Sequence, residues 1–305
     1  MGNLSRREVI RIGCVGAGCL GAPALARAEG GQLRKVIPST GESIVAMGMG
    51  TWQTFDVGGD AAARAELSEV LQAFFDAGGQ LIDSSPMYGS SEEVVGDLLE
   101  RTGNRDRLFA ATKVWTDGKE NGIRQMQDSM RKMRVAVMDL MQVHNLRDWH
   151  THLATLRDWK AEGKVRYIGI TTSHGRDHDE FARIMETETL DFAQFTYNVQ
   201  SREAEKRLLP LAADRGIATL VNRPFEGSNL FRRVAGRPLP AWASEIQCTS
   251  WAQVFLKYII SHPAVTCVIP ATSRVKHMRD NMQAGLETMP DAAMRRRIER
   301  DIAAL

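Results

Sequence analysis

Four residues in the first half of the chain, Asp83, Tyr88, Lys113 and His144, are of the types that carbonyl reduction needs. Hydride arriving at a carbonyl carbon leaves charge on the oxygen, and a proton donor must meet that oxygen. A phenol with a pKa of about 10 is a poor donor until it is tuned. A neighbouring ammonium lowers the phenol pKa, and a carboxylate holds the ammonium in place. A histidine can hydrogen-bond the oxygen and orient it. Taken singly, each residue has an ordinary reading: a helix cap, a packed loop tyrosine, a solvated lysine, a rim histidine. Together they close three successive apolar runs. Leu81-Ile82 ends in Asp83, with Tyr88 beyond it beside Gly89; Ala110-Ala111-Thr112 ends in Lys113; Met141-Gln142-Val143 ends in His144.

The elements that must hold these ends recur along the whole body. Residues 36–47 read as a hairpin about Ser39-Thr40-Gly41-Glu42. Strands are predicted at 47–52, 80–84, 108–114, 138–144, 165–171, 192–197, 217–221 and 265–269. Helices are predicted at 61–77, 91–101, 122–134, 151–162, 179–186, 203–215, 249–261 and 275–285, with a last one from Pro290 to the end. Ser91 is read as the cap of the second helix, Thr249 as the cap of the helix after the long Gly/Pro segment 223–247, and Arg295-Arg296-Arg297 as a solvated face. The strands are rich in Val, Ile, Leu and Phe without clean alternation, as parallel strands are. Eight strand–helix units with no internal linker predict one α/β domain, a (β/α)8 TIM barrel over residues 29–305 with an N-terminal hairpin and a C-terminal helix. A doubly wound open sheet is the alternative. In a barrel, chemistry collects at the C-terminal rim of the strands. There the sequence places Thr51 and Trp52, Asp83 and Tyr88, Lys113, His144, Thr171 and Thr172, Gln194, then Asn222, Arg223 and Pro224.

The opening reads differently. Ser5-Arg6-Arg7-Glu8-Val9-Ile10 is a twin-arginine pattern, followed by an uncharged Gly- and Ala-rich run over residues 12–26 and small residues suited to cleavage. Residues 1–28 are therefore expected to be an export signal, handled by the twin-arginine machinery and delivering the protein to the periplasm. The run is too short and too rich in glycine for a membrane anchor. The chain has 305 residues and a net charge of +2, all of it from the first 26 residues. The remaining 36 basic and 36 acidic residues balance, which argues against nucleic acid or an anionic membrane as partner. Beyond the signal only Cys248 and Cys267 remain, on opposite ends of the predicted barrel, so no disulfide is expected. No His/Cys cluster has metal-ligand spacing.

From about Val36 to Gly285 the chain resembles the aldo-keto reductases. Gly48-Met49-Gly50-Thr51-Trp52 is similar to that family's first-strand Gly-x-Gly-Thr-aromatic. Ile82-Asp83-Ser84-Ser85 through Tyr88-Gly89-Ser90-Ser91-Glu92 is similar to its Asp-Thr-Ala…Tyr-Gly-x-Ser-Glu signature. The resemblance implies a TIM barrel, NADPH as the usual cofactor, and reduction of aldehydes or ketones. It implies Tyr88 as general acid, Lys113 as its tuner, Asp83 as the partner of Lys113, and His144 as the carbonyl-orienting group. Ile269-Pro270-Ala271-Thr272-Ser273-Arg274 with Asn281 resembles the family's phosphate-binding stretch, which implies a cofactor phosphate near Ser273, Arg274 and Asn281. Ser273 is read as the cap of the helix there. Many members carry a lysine where this chain has Ala271, which leaves NADH as an alternative cofactor. The family's Ser-Asn after strand five is Thr171-Thr172 here, its carboxamide-binding glutamine is matched by Gln194, and Asn222 or Arg223 stands where a stacking aromatic is common. A small-molecule carbonyl is the implied partner, with Trp52, Met87, Trp115 and Trp242 as candidate pocket walls. The alternative function is a cofactor-binding redox sensor or auxiliary protein on the same fold.

Overall fold

The computed structural model describes residues 31–305; the twin-arginine signal expected over residues 1–28 lies outside the described residues. The hairpin comes first, as β1 (Arg34–Val36) and β2 (Ser43–Val45), antiparallel in the register Lys35↔Ile44. Gly41, at φ +78°, takes the left-handed turn that a residue with a Cβ disfavours.

Eight parallel strands follow: β3 (Met49–Gly50), β4 (Leu81–Asp83), β5 (Phe109–Val114), β6 (Met138–Val143), β7 (Val165–Thr171), β8 (Phe192–Thr196), β9 (Ala218–Asn222) and β10 (Cys267–Val268). Each hydrogen-bonds its sequence neighbour, and the parallel bridges Met47↔Val268 and Gly50↔Ala271 join the last strand to the first. The sheet therefore closes, as the unit count predicts. Gly50 is needed at that seam: a Cβ there would come within 2.9 Å of the Ile269 carbonyl oxygen.

Strand side chains alternate between two apolar surfaces. Leu81, Phe109, Ala111, Leu140, Tyr167, Phe192, Ala218 and Leu220 fill the barrel, and Ile37 and Ile44 of the hairpin segment plug its N-terminal end. Ile82, Ala110, Met141, Ile168, Ala193 and Val221 face the helices instead. With both faces buried, the strands read as continuous hydrophobic runs.

The helices are α1 (Ala61–Asp76), α2 (Ser91–Thr102), α3 (Lys119–Lys132), α4 (Trp149–Ala161), α5 (His178–Thr187), α6 (Leu208–Arg215), α7 (Asn229–Arg233), α8 (Trp251–Ile260), α9 (Val275–Gln283) and α10 (Ala292–Ala303). Several local expectations need correction. Ser91 is the first helical residue of α2 rather than its cap, and its buried hydroxyl has no hydrogen-bond partner among the described residues. Ser90 precedes it, with its hydroxyl donated to Asp56 at 2.9 Å. Ser250, not Thr249, caps α8 by accepting from the Gln253 N–H. The helix expected at 203–215 is broken into a 3-10 turn, Glu203–Glu205, and α6. The Gly/Pro segment is not bare loop but holds α7 and a 3-10 turn at Ala241–Ile246.

Arg295 is not on a solvated face. It is buried, with its guanidinium 4.1 Å over the Tyr258 ring and 2.6 Å from the Tyr197 hydroxyl, and it pins α10 to the barrel wall. Three consecutive helical residues fan over about 200°, and of the three arginines Arg295 falls on the inward side. Among the described residues Cys248 and Cys267 are both free, and both are buried.

Candidate active site

β4, β5 and β6 end side by side, which brings the predicted set together. The register pairs Asp83 with Ala111 and Lys113 with Gln142, so Asp83 and Lys113 converge above the barrel. Lys113 is wholly buried; its ammonium donates to Asp83 Oδ2 at 2.6 Å and to the Ser84 carbonyl at 2.6 Å. Its remaining donor faces the Tyr88 phenol, whose ring centroid is 5.1 Å from Nζ. Asp83, 2% exposed, is held on its other oxygen by the side-chain amides of Gln142 at 3.1 Å and Gln194 at 3.0 Å. The carboxylate is thus satisfied on both sides, as a buried charge must be.

Burial by itself would lower the Lys113 pKa, but the Asp83 carboxylate and the Tyr88 phenol outweigh it and leave the pKa above its ordinary value. The ammonium is therefore a fixed positive charge under the phenol. Tyr88 differs from expectation in one respect. Burial raises its pKa more than Lys113 lowers it, so the net direction is upward. The ammonium thus offsets part of a burial penalty rather than producing an acidic phenol.

His144 meets the edge of the Tyr88 ring, centroid to centroid 6.1 Å at 86°. Burial first, then the charges of Lys113 and Arg176, push its pKa down to about 2. The imidazole is consequently neutral at any physiological pH. Its Nδ1 lies 3.0 Å from the Ser85 hydroxyl.

Tyr88, His144 and Asp83 open into a cleft of about 390 Å³ over the barrel mouth. Of the residues expected to hold a cofactor, Thr51, Trp52, Thr171, Thr172, Gln194, Asn222, Arg223 and Pro224 all line it. Ser273, Arg274 and Asn281 do not. Arg274 has a largely exposed side chain 3.7 Å from Glu66, and Asn281 is buried within α9. Ser273 is not the cap of α9; the Thr272 hydroxyl accepts the Arg274 N–H at 3.1 Å instead. Trp52 and Met87 line the cleft, whereas Trp115 stacks beneath Arg147 and Trp242 is buried with its indole N–H on Asp301.

The cleft suits a nicotinamide dinucleotide. Two of its lining residues keep a buried polar atom without a partner among the described residues, Asn145 Oδ1 and Arg223 Nε, an acceptor and a cationic donor. Arg223, Glu226, Gly227 and Ser228 all have positive φ, so this loop turns sharply about the site. Gln194 is less free than expected. Its amide nitrogen is committed to Asp83 and Gln142, and its oxygen receives the Asn222 amide at 3.4 Å.

The sequence pattern of the Aldo/keto reductase family matches residues 46–299. The methylglyoxal reductase YeaE of Escherichia coli is 30% identical over 258 residues, covering 81% of this chain and 88% of that protein. The chain belongs to the aldo/keto reductase family. Another relative, the NADH-specific methylglyoxal reductase of Escherichia coli, is 29% identical over 63% of this chain and 68% of its own length. An aldo/keto reductase from Klebsiella pneumoniae in complex with NADP and acetate superposes with a TM-score of 0.73 at 25% identity, over 88% of this chain and 94% of that one. A second Klebsiella pneumoniae aldo-keto reductase, in complex with NADPH, gives 0.72 at 26% identity over 90% and 95%.

Within this aldo/keto reductase the sequence reading missed several lining and supporting residues. Gln142, two positions before His144, carries a signal in retrospect: an amide inside a parallel strand must find a polar partner. Asn145, His174 and Phe225 line the cleft beside predicted residues, on loops where positive-φ turns set side-chain direction, and Ser85 lies 3.0 Å from the His144 ring.

Proposed function

We propose that this aldo/keto reductase reduces an aldehyde or ketone to the alcohol with a reduced nicotinamide cofactor, using Tyr88 as general acid. The observation that carries the reading is the buried Lys113–Asp83 pair directly beneath the Tyr88 phenol at the mouth of the cleft. Such a pair costs desolvation that a barrel core could avoid with apolar side chains. It is useful where a phenol has to give up a proton. Thr51, Thr171, Thr172, Asn222 and Arg223 would hold the cofactor along the cleft, and NADPH or NADH would supply the hydride.

His144, uncharged, donates to the carbonyl oxygen and fixes its direction. Tyr88 delivers its proton to that oxygen as charge develops. Lys113 stabilises the phenolate left behind, and Asp83 keeps Lys113 in place with help from Gln142 and Gln194. Trp52 and Met87, both exposed beside the cleft, offer apolar contact to the rest of a small carbonyl compound. The methylglyoxal reductases among the relatives make small oxo-aldehydes sensible first substrates to assay. A purely cofactor-binding role would leave the buried pair without a task.

Tyr88→Phe tests the reading. It should abolish carbonyl reduction while NADPH binding, followed by fluorescence, is retained; unchanged turnover would remove Tyr88 from its role. The twin-arginine pattern Ser5-Arg6-Arg7 supports export of the folded protein to the periplasm. Fractionation of cells making the full chain would count against export if the protein stayed in the cytoplasm.

A further inference from the structure

We propose that Ser85 is a positioning residue that holds His144 in the Nε2–H tautomer, so that this nitrogen presents a proton, rather than a lone pair, to the carbonyl oxygen. The inference rests on the reading of His144 as the group that meets that oxygen.

Ser85 is completely buried, and its hydroxyl has two neighbours. It accepts the backbone N–H of Met87 at 3.2 Å and lies 3.0 Å from His144 Nδ1. The hydroxyl carries one hydrogen, and no carbonyl or carboxylate among the described residues takes it. His144 is neutral, so only one of its ring nitrogens bears hydrogen.

Two arrangements are open. If Nδ1 carried the hydrogen, it would donate to Ser85, and the serine hydrogen would be buried with no acceptor. That costs about 1–3 kcal/mol. Nε2 would then offer a lone pair to the cleft, which repels a carbonyl oxygen. If Ser85 donates to Nδ1, every polar atom is paired and the Nε2 hydrogen is left for the ligand. Among the described residues Nε2 has no hydrogen-bond partner, and His144 lines the cleft. The second arrangement is therefore selected by the pairing of Ser85 alone.

The backbone around Ser85 supports this. The Ser85 carbonyl accepts the Tyr88 N–H at 3.0 Å while its hydroxyl takes the Met87 N–H, so one residue sets both the loop that carries the phenol and the ring beside it. The family signature given above has Ala at this place; the serine is a feature of this chain.

The test is made on the full-length protein with cofactor bound and 15N-labelled histidine, with His144→Gln identifying the resonance. Long-range 15N–1H correlation should find hydrogen on Nε2 of His144 in the wild type. Ser85→Ala should add a population with hydrogen on Nδ1. It should also lower kcat for carbonyl reduction by roughly tenfold or more, a fraction of the loss that follows removal of one oxyanion donor, with cofactor affinity unchanged. Ser85→Thr, which keeps the hydroxyl, should restore both. Hydrogen on Nδ1 in the wild type would overturn the proposal. So would a Ser85→Ala protein with the wild-type tautomer and turnover. Because the tautomer is read without turnover, a protein that reduces no carbonyl would refute the catalytic reading and leave this measurement to decide the other.

Discussion

Lys113→Met should separate what the buried ion pair does for the fold from what it does for the reaction. At a separation of 2.6 Å and an effective dielectric constant of about 20, attraction in the pair is on the order of 6 kcal/mol. That roughly balances the several kcal/mol that each buried ion loses with its water. Removing only the lysine leaves the desolvation cost of Asp83 standing. Its Oδ1 keeps the amides of Gln142 and Gln194, so the loss should fall at the low end of the 3–5 kcal/mol typical of a broken buried pair, about 3 kcal/mol. In thermal unfolding this is roughly 6–12 °C. Urea denaturation should show a lower midpoint at unchanged slope. The double variant Asp83→Asn/Lys113→Met buries no charge and should recover at least about 2 kcal/mol. Both variants should lose on the order of 10²–10⁴ in kcat, because the phenol then ionises in an apolar site with no cation beneath it. A double variant no more stable than the single one would refute the energetic reasoning. A single variant with normal kcat would refute the chemical one.

Arg274 lies outside the cleft with a side chain 67% exposed, so its contact with a cofactor 2′-phosphate would be screened. Arg274→Ala should weaken NADPH binding by about tenfold, more at low salt, with little effect on NADH; equal losses for both cofactors in fluorescence titration would make the residue structural. Glu92 gives a prediction in pH. It is 1% exposed, and burial raises its pKa despite the hydroxyls of Thr112 and Ser129. A carboxyl whose folded pKa is raised costs stability as pH climbs from its ordinary 4.5 through the raised value. Glu92→Gln lacks that charge, so its urea midpoint relative to wild type should climb over the same interval; a flat or falling difference would count against it.

Most of the barrel could be read from the sequence because its signals are local and repeated. Apolar runs separated by amphipathic stretches recur eight times, several of the helices stop at a glycine such as Gly103 or Gly216, and most runs end near a polar residue that stands at the rim. What the sequence hid was direction. Ser90 and Ser91 are equivalent in composition, yet one bonds Asp56 and the other is buried. Arg295 is the first of three consecutive arginines and is the one turned into the wall. Gln194 was expected to wait for a ligand and is occupied by Asp83 and by Gln142, which reaches it from two strands away. In each case the partner is distant in sequence, and propensity does not report it.

The seam of the barrel has a consequence for how the chain is made. The first strand has no partner on one side until β10 has been synthesised, and Gln32 reaches the Met282 carbonyl across 250 residues. The Tyr197, Tyr258 and Glu205 cluster likewise waits for Arg295 near the end of the chain. A ribosome-bound intermediate therefore carries an open sheet edge until β10 has emerged and an unclosed polar cluster until Arg295 has. Contacts of such long range fold slowly, because loop closure must be completed before they are rewarded. Truncation by a few dozen residues should accordingly yield an aggregating fragment in place of a slightly weakened barrel.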